Sequence, residues 1–251
     1  MSATLILLVV VVVFLGVFVR TTFGFGDALV SMPLLTFVPI SLHTAVSLMG
    51  LVGLTAAILG LVTGWRHVDR TALVHLGLPA LVGIPVGLVL VASTPSAVMT
   101  GFLGAVLIIY GAYSLARHMV ARQRVRPILD APRWILLFGF ASGVLGSAYN
   151  FSGVPVAVYG TLRRWPPDYF RSTMQAYLLL SGLLIVSGQG VSGMWTTNVF
   201  ALYGWSVPAI AVAAIAGTML HRRIPAVRFQ RYVFLLVAAL GTVLLLRSVL
   251  S

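Results

Sequence analysis

The chain contains no cysteine, so disulfides, thiol chemistry and Cys-based metal sites are excluded. Lysine is absent too: all 16 basic residues are Arg. Glutamate is missing, and the 4 acids are Asp27, Asp69, Asp130 and Asp168. Without lysine there is no GxxxxGK[ST] phosphate loop, which excludes ATP drive within this chain. HExxH is also missing, and Asp69, Asp130 and Asp168 are scattered between apolar stretches. No metal site and no cofactor is therefore expected. Charge of either sign is scarce, at 8% of 251 residues, against about 25% in a soluble domain.

What is present is apolar: 60% of the chain is hydrophobic. Uncharged stretches run over 1–19, 28–65, 71–116, 134–162, 172–220 and 232–246. About 20 apolar residues cross a bilayer, so these stretches hold all the membrane segments and leave almost nothing for a soluble domain. The expected fold is an all-α polytopic integral membrane protein, one transmembrane domain over 1–251. The net charge of +12 needs no nucleic-acid partner, because Arg-rich loops hold the cytoplasmic side of such a protein. The first residues lack a basic leader and a clear cleavage site, so they read as a retained membrane segment.

Clear spanning segments are expected at 44–63, 72–92, 98–116, 172–190, 199–220 and 232–246. Two further apolar regions, 3–39 and 134–162, are interrupted by Gly and polar residues at 21–27 and 147–153. Each is either two short crossings or one hairpin that dips in and returns; both give an even number of crossings. On that count Arg66, Arg70, Arg117, Arg122, Arg124, Arg126, Arg133, Arg163, Arg164, Arg171, Arg222, Arg223, Arg228 and Arg231 all fall on one side. Counting each broken region as a single span would divide them evenly. The positive-inside rule favours the first arrangement, which puts both termini outside. Only Arg20 and Arg247 lie off the pattern.

The halves 1–120 and 131–251, joined by an Arg-rich cytoplasmic loop at 117–133, then run in opposite directions. Phe25 and Phe151, Gly64 and Gly190, Pro79 and Pro208, and Gly111 and Gly241 recur in order at a nearly constant offset. Inverted repeats with broken helices near the midplane mark secondary transporters.

A broken helix in lipid exposes backbone groups that protein or a water-filled cavity must satisfy. Two half-helix N-termini meeting at mid-depth would form an anion site without a buried lysine. Gly24 and Gly26 allow close approach to the backbone; Asn150, Ser152 and Gly153 add polar groups in the second half. Pro33 and Pro155 are expected to fix where the irregular segments end. A charge at membrane depth is costly and usually functional. Arg20 therefore reads either as the anion's partner or as a structural mate of Asp27, and Asp27 as the acceptor of a coupling proton. Thr22, Phe25, Tyr149, Tyr159 and Gln175 complete the candidate site, although Tyr and Gln in membrane helices more often hydrogen-bond between helices. Asp168, after Pro166 and Pro167, reads as a helix N-cap. Trp65, Trp165 and Trp195 read as interfacial anchors.

At both breaks the sequence resembles the sulfite exporter TauE/SafE family of membrane transporters. The resembling residues are Thr22-Phe23-Gly24-Phe25-Gly26 with Pro33-Leu34-Leu35, then Gly146, Ser152-Gly153-Val154-Pro155 and Tyr159. Leu78-Pro79 with Gly83 and Gly87, and Arg223-Ile224-Pro225, are weaker echoes. The resemblance covers essentially the whole chain. It implies export of small anions such as sulfite, sulfonates or related organic acids across a bacterial inner membrane, with the two breaks as substrate site. One departure matters: the family often continues its first motif with further Gly, where this chain has Asp27. The expected partners are a small anionic substrate and the lipid bilayer; self-association is left open. A passive anion channel and a membrane-embedded enzyme such as a lipid phosphatase are the competing readings.

Overall fold

A computed structural model of the chain describes residues 2–61, 68–120, 133–221 and 226–250. Ten helices account for nearly all of them: α1 (Ala3–Phe23), α2 (Asp27–Leu35), α3 (Leu42–Leu61), α4 (Arg70–Ser93), α5 (Ser96–Val120), α6 (Arg133–Tyr149), α7 (Gly153–Leu162), α8 (Pro167–Val191), α9 (Thr197–His221) and α10 (Ala226–Leu250). Trp65, Arg66, Arg122, Arg124, Arg126, Asp130, Arg222 and Arg223 lie outside the described residues. So do the side chains of Arg117, Asp168, Arg171, Arg228 and Arg231.

The six expected segments are helical as α3, α4, α5, α8, α9 and α10, with residues 62–63 outside the described ones, and the described apolar part of α10 is shorter than a full span. Among the described residues six helices are long and apolar enough to cross a membrane, α1 included. Their outer faces carry large apolar side chains, with Val82 65% exposed, Ile109 70% and Ile215 64%. The polar side chains are inside: Ser31, Ser47, Ser142, Ser147, Thr173, Gln189 and Ser206 are all buried. Apolar outside and hydrogen-bonded inside is the arrangement a hydrocarbon solvent imposes. The chain is a multi-pass membrane protein.

Small residues set the helix pairs. Gly83 and Gly87 on α4 face the α6 backbone at Phe140 and Val144, and Gly139 and Gly143 on α6 face the α4 backbone at Leu76 and Ala80. Ser147 donates across that seam to the Ile84 carbonyl at 3.0 Å. In the same way α1 packs on α9, where Gly217 takes the Thr21 side chain; α5 packs on α10 and α3 on α8. Lipid tails are as apolar as Leu, so close backbone approach and interhelical hydrogen bonds hold these pairs.

The two interrupted regions are helix–turn–helix units. α1 ends at Gly24 (φ 92) and α2 begins after Gly26 (φ 101), both left-handed. The chain then folds back: Ser31 of α2 donates to the Val12 carbonyl of α1 at 3.1 Å. α6 ends at Asn150 (φ 60), an αL position that Asn tolerates better than most residues. α7 returns beside α6, where Ser142 donates to the Ser152 carbonyl at 2.6 Å. Two expectations about the ends need correction. Pro33 does not end the first irregular segment but lies inside α2; Pro155 does sit in the first turn of its helix, where no amide is required. The N-cap of α8 is Pro166, so Asp168 falls within the first turn instead.

Candidate functional site

The turns between α1 and α2 and between α6 and α7 face each other across one small cavity of about 30 Å³. The first turn contributes Phe25, Gly26, Asp27, Ala28 and Leu29, and the second Asn150, Phe151, Ser152, Gly153 and Val154. The middle of α3 and the middle of α8 form the walls through Gly50, Gly53 and Leu54, and through Leu178, Gly182 and Ile185. Both short helices start at this cavity. Their first amides have no partner within the helix, and the positive ends of their dipoles lie at the same place.

Arg20 and Asp27 form an ion pair at the cavity edge, Nη1 to Oδ2 at 2.7 Å, with side chains only 4% and 9% exposed. They are close because Gly24 and Gly26 reverse the chain between them. The pair rests on Gly53 of α3, whose missing side chain leaves room: a Cβ there would lie 3.4 Å from Asp27 Oδ2. The guanidinium is incompletely satisfied. Its Nε and Nη2 are buried with no hydrogen-bond partner among the described residues.

Each turn is tethered to the long helix of the opposite half. Gln175 on α8 donates to the Gly24 carbonyl at 2.7 Å. Asn150 donates to the Val46 carbonyl of α3 at 2.7 Å, an oxygen that Gln189 also reaches at 3.4 Å. On the α8 side of the first turn, Phe25 meets Phe170 edge-on, and Phe170 continues into Trp165, which contacts Tyr159 and Tyr169. The Tyr169 hydroxyl donates to Asp69, the N-cap of α4, which also accepts from the Thr71 and Ala72 amides. Partial burial alone would raise the Asp69 pKa; the hydrogen bonds from Tyr169, Ala72 and Thr71 outweigh it and leave it below 3.8. Burial first, and the Asp69 hydrogen bond second, push the Tyr169 phenol above its ordinary value.

Of the candidate residues, Arg20, Phe25, Gly26, Asp27, Asn150, Ser152 and Gly153 come together around the cavity. The remaining five do not line it. Thr22 bonds the Phe18 carbonyl and reaches the Gly217 carbonyl of α9. The Gly24 carbonyl and the Gln175 amide are engaged with each other. Tyr149 points away, its hydroxyl on the Met99 carbonyl at 2.8 Å. Tyr159 belongs to the aromatic cluster below the turn. Sequence reasoning missed the walls: Gly50 and Gly53 on α3 and Gly182 on α8 lie within uninterrupted helices, away from both breaks. A sign was available in the pairing of Gly50 with Gly53, which puts two small residues on one face.

Among the described residues no group of three or more His, Asp or Glu is placed to hold a metal ion. Comparison with curated proteins and with solved structures finds no match. The family model described as sulfite exporter TauE/SafE matches residues 8–244. That match takes in both interruptions, 21–27 and 147–153, and every wall of the cavity, and the chain belongs to this family of membrane transporters.

Proposed function

We propose that the protein is a secondary transporter that exports small anions such as sulfite, sulfonates or related organic acids, binding them between the two turns near the bilayer midplane. The observation that carries this reading is the convergence of two helix N-termini and a buried, incompletely bonded Arg20 on one cavity. An anion gains there from oriented amides and from a guanidinium already removed from water.

The two halves act as inverted repeats, each made of a re-entrant hairpin and three crossing helices. Support comes from the packing: α1 pairs with α9 as α6 pairs with α4, while α3 with α8 and α5 with α10 pair equivalent helices. The first turn lies beside Gly53 of α3 and the second beside Ser181 of α8, which supports a returning hairpin in each half. With even crossings in both hairpins, the Arg-bearing connections share the cytoplasmic side and both termini face outward. Asp27, paired with Arg20, is the group through which a proton gradient drives the cycle.

The test is anion flux in proteoliposomes. Sulfite, a sulfonate and a carboxylate are compared with and without a pH gradient, for wild type and Asp27→Asn. Saturable flux that the gradient accelerates, and that Asp27→Asn uncouples, is the expected result. Flux that neither saturates nor responds to the gradient identifies a passive channel. No flux of any of the three by folded protein refutes the transport of this substrate class.

A further inference from the structure

The charge and donor geometry of the cavity specify more than an anion. Among the described residues that line it, Arg20 and Asp27 are the ionisable ones, and their charges cancel as a 2.7 Å pair. The two helix N-termini then supply about half a positive charge each. Their sum compensates roughly one negative charge. A second negative charge would remain uncompensated in a site walled by Leu54, Leu178, Ile185 and Phe151, where burial of an unpaired charge is strongly opposed.

The guanidinium sets the shape. Asp27 occupies Nη1 alone. Nε and Nη2, which form one edge of the planar fork, are buried and have no hydrogen-bond partner among the described residues. Two parallel N–H donors match two oxygens carried on one atom, as in a carboxylate or sulfonate; a halide meets only one at a time. The missing partner is not incidental, because a buried charged donor without one is costly and rare in a finished core.

We infer that the site selects singly charged oxyanions, held side-on by the Nε–Nη2 edge of Arg20, and that Asp27 sets this charge limit by neutralising Arg20. A doubly charged oxyanion fits only when position 27 carries no charge. This rests on the anion-site reading above and deepens it.

The test is equilibrium binding to the purified full-length protein in detergent, by calorimetry. Methanesulfonate is the probe with the right charge and two or more oxygens. Sulfate has the oxygens but twice the charge, and chloride the charge without the oxygens. Methanesulfonate is expected to bind about tenfold more tightly than either control, or better. Asp27→Asn is expected to shift the sulfate-to-methanesulfonate ratio about tenfold toward sulfate. Arg20→Lys keeps the charge, loses the fork, and brings methanesulfonate to the level of chloride. Sulfate binding as tight as methanesulfonate in wild type overturns the inference, as does an unchanged ratio in folded Asp27→Asn. If Asp27→Asn does not fold, the wild-type ranking with Arg20→Lys decides. Binding without charge or shape preference sinks this inference and leaves the transport reading intact; no anion binding by folded protein sinks both.

Discussion

The two turns that meet at the cavity solve one backbone problem with different chemistry. Each must stop a helix, reverse the chain and aim a new N-terminus at the same space. The first does so with two left-handed glycines, Gly24 and Gly26, and carries a buried ion pair. The second uses Asn150 in the left-handed region and is neutral, held by hydroxyls: Ser142 bonds the Ser152 carbonyl, and Ser181 the Ser152 hydroxyl. The tether is reversed as well. In the first turn a backbone carbonyl accepts from Gln175; in the second the turn's own side chain donates to Val46. What the halves share is therefore geometry, and what distinguishes them is where charge is kept. Charge confined to one turn lets the other contribute oriented amides without a competing counter-ion.

The largest effect should come from breaking the charged turn. Arg20→Ala strands Asp27 at 6% exposure, and loss of one member of a buried pair costs about 3–5 kcal/mol. The double variant Arg20→Leu/Asp27→Leu should recover most of that stability while abolishing anion binding. Thermal unfolding of detergent-solubilised protein measures the first, and calorimetry the second. Full stability in Arg20→Ala would mean that the pair is solvated and that the contrast between the turns is empty.

A smaller effect separates the tethers. Gln175→Leu leaves the Gly24 carbonyl without its α8 donor, at a cost of about 1–3 kcal/mol. Asn150→Gly keeps the left-handed turn, and the Val46 carbonyl retains Gln189, so the loss should be nearer to about 1 kcal/mol. Anion affinity should fall in both, since each tether fixes a turn that lines the cavity. Equal losses of stability would show that Gln189 does not back up Asn150.

The smallest effect belongs to a clasp outside either turn, Tyr169 on Asp69. The folded Asp69 carboxyl titrates below 3.8. Its contribution is therefore present above that value and lost as pH falls through the lowered one. The Tyr169 phenol is raised, so its contribution holds below pH 10.0 and is lost as pH rises beyond. Tyr169→Phe should lower stability by about 1 kcal/mol or less. The deficit should be flat from weakly acid to weakly alkaline pH and shrink in strong acid. A deficit as large as that of Gln175→Leu would move the principal tether from the turns to this clasp.

Much of this was legible in the residues. Uncharged stretches of bilayer length marked α3, α4, α5, α8 and α9, because in lipid every span must be apolar and helical throughout; the sixth helix of spanning length among the described residues, α1, was read as part of a broken region. The two interruptions were visible because Gly24-Phe25-Gly26 and Asn150-Phe151-Ser152 cannot continue a membrane helix without a reason. Arg20 and Asp27 stood out by rarity, and the sequence offered pairing and anion binding as alternatives. The geometry removes that opposition, since one nitrogen takes Asp27 while two donors have no partner among the described residues. Tyr149 and Tyr159 were misleading neighbours. Closeness to a break in sequence says nothing of azimuth around the helix, and Tyr149, one residue before the turn, faces Met99 on α5.

The sequence by itself determined the solvent, the helices and the positions of the breaks, because burial in hydrocarbon and backbone satisfaction are local demands read residue by residue. Only the tertiary structure decided which groups share the cavity. That choice depends on how glycine faces let α3, α8 and the two hairpins close on one another, and a helix rotated by one residue would turn Gly53 or Gly182 away and leave no space between the turns.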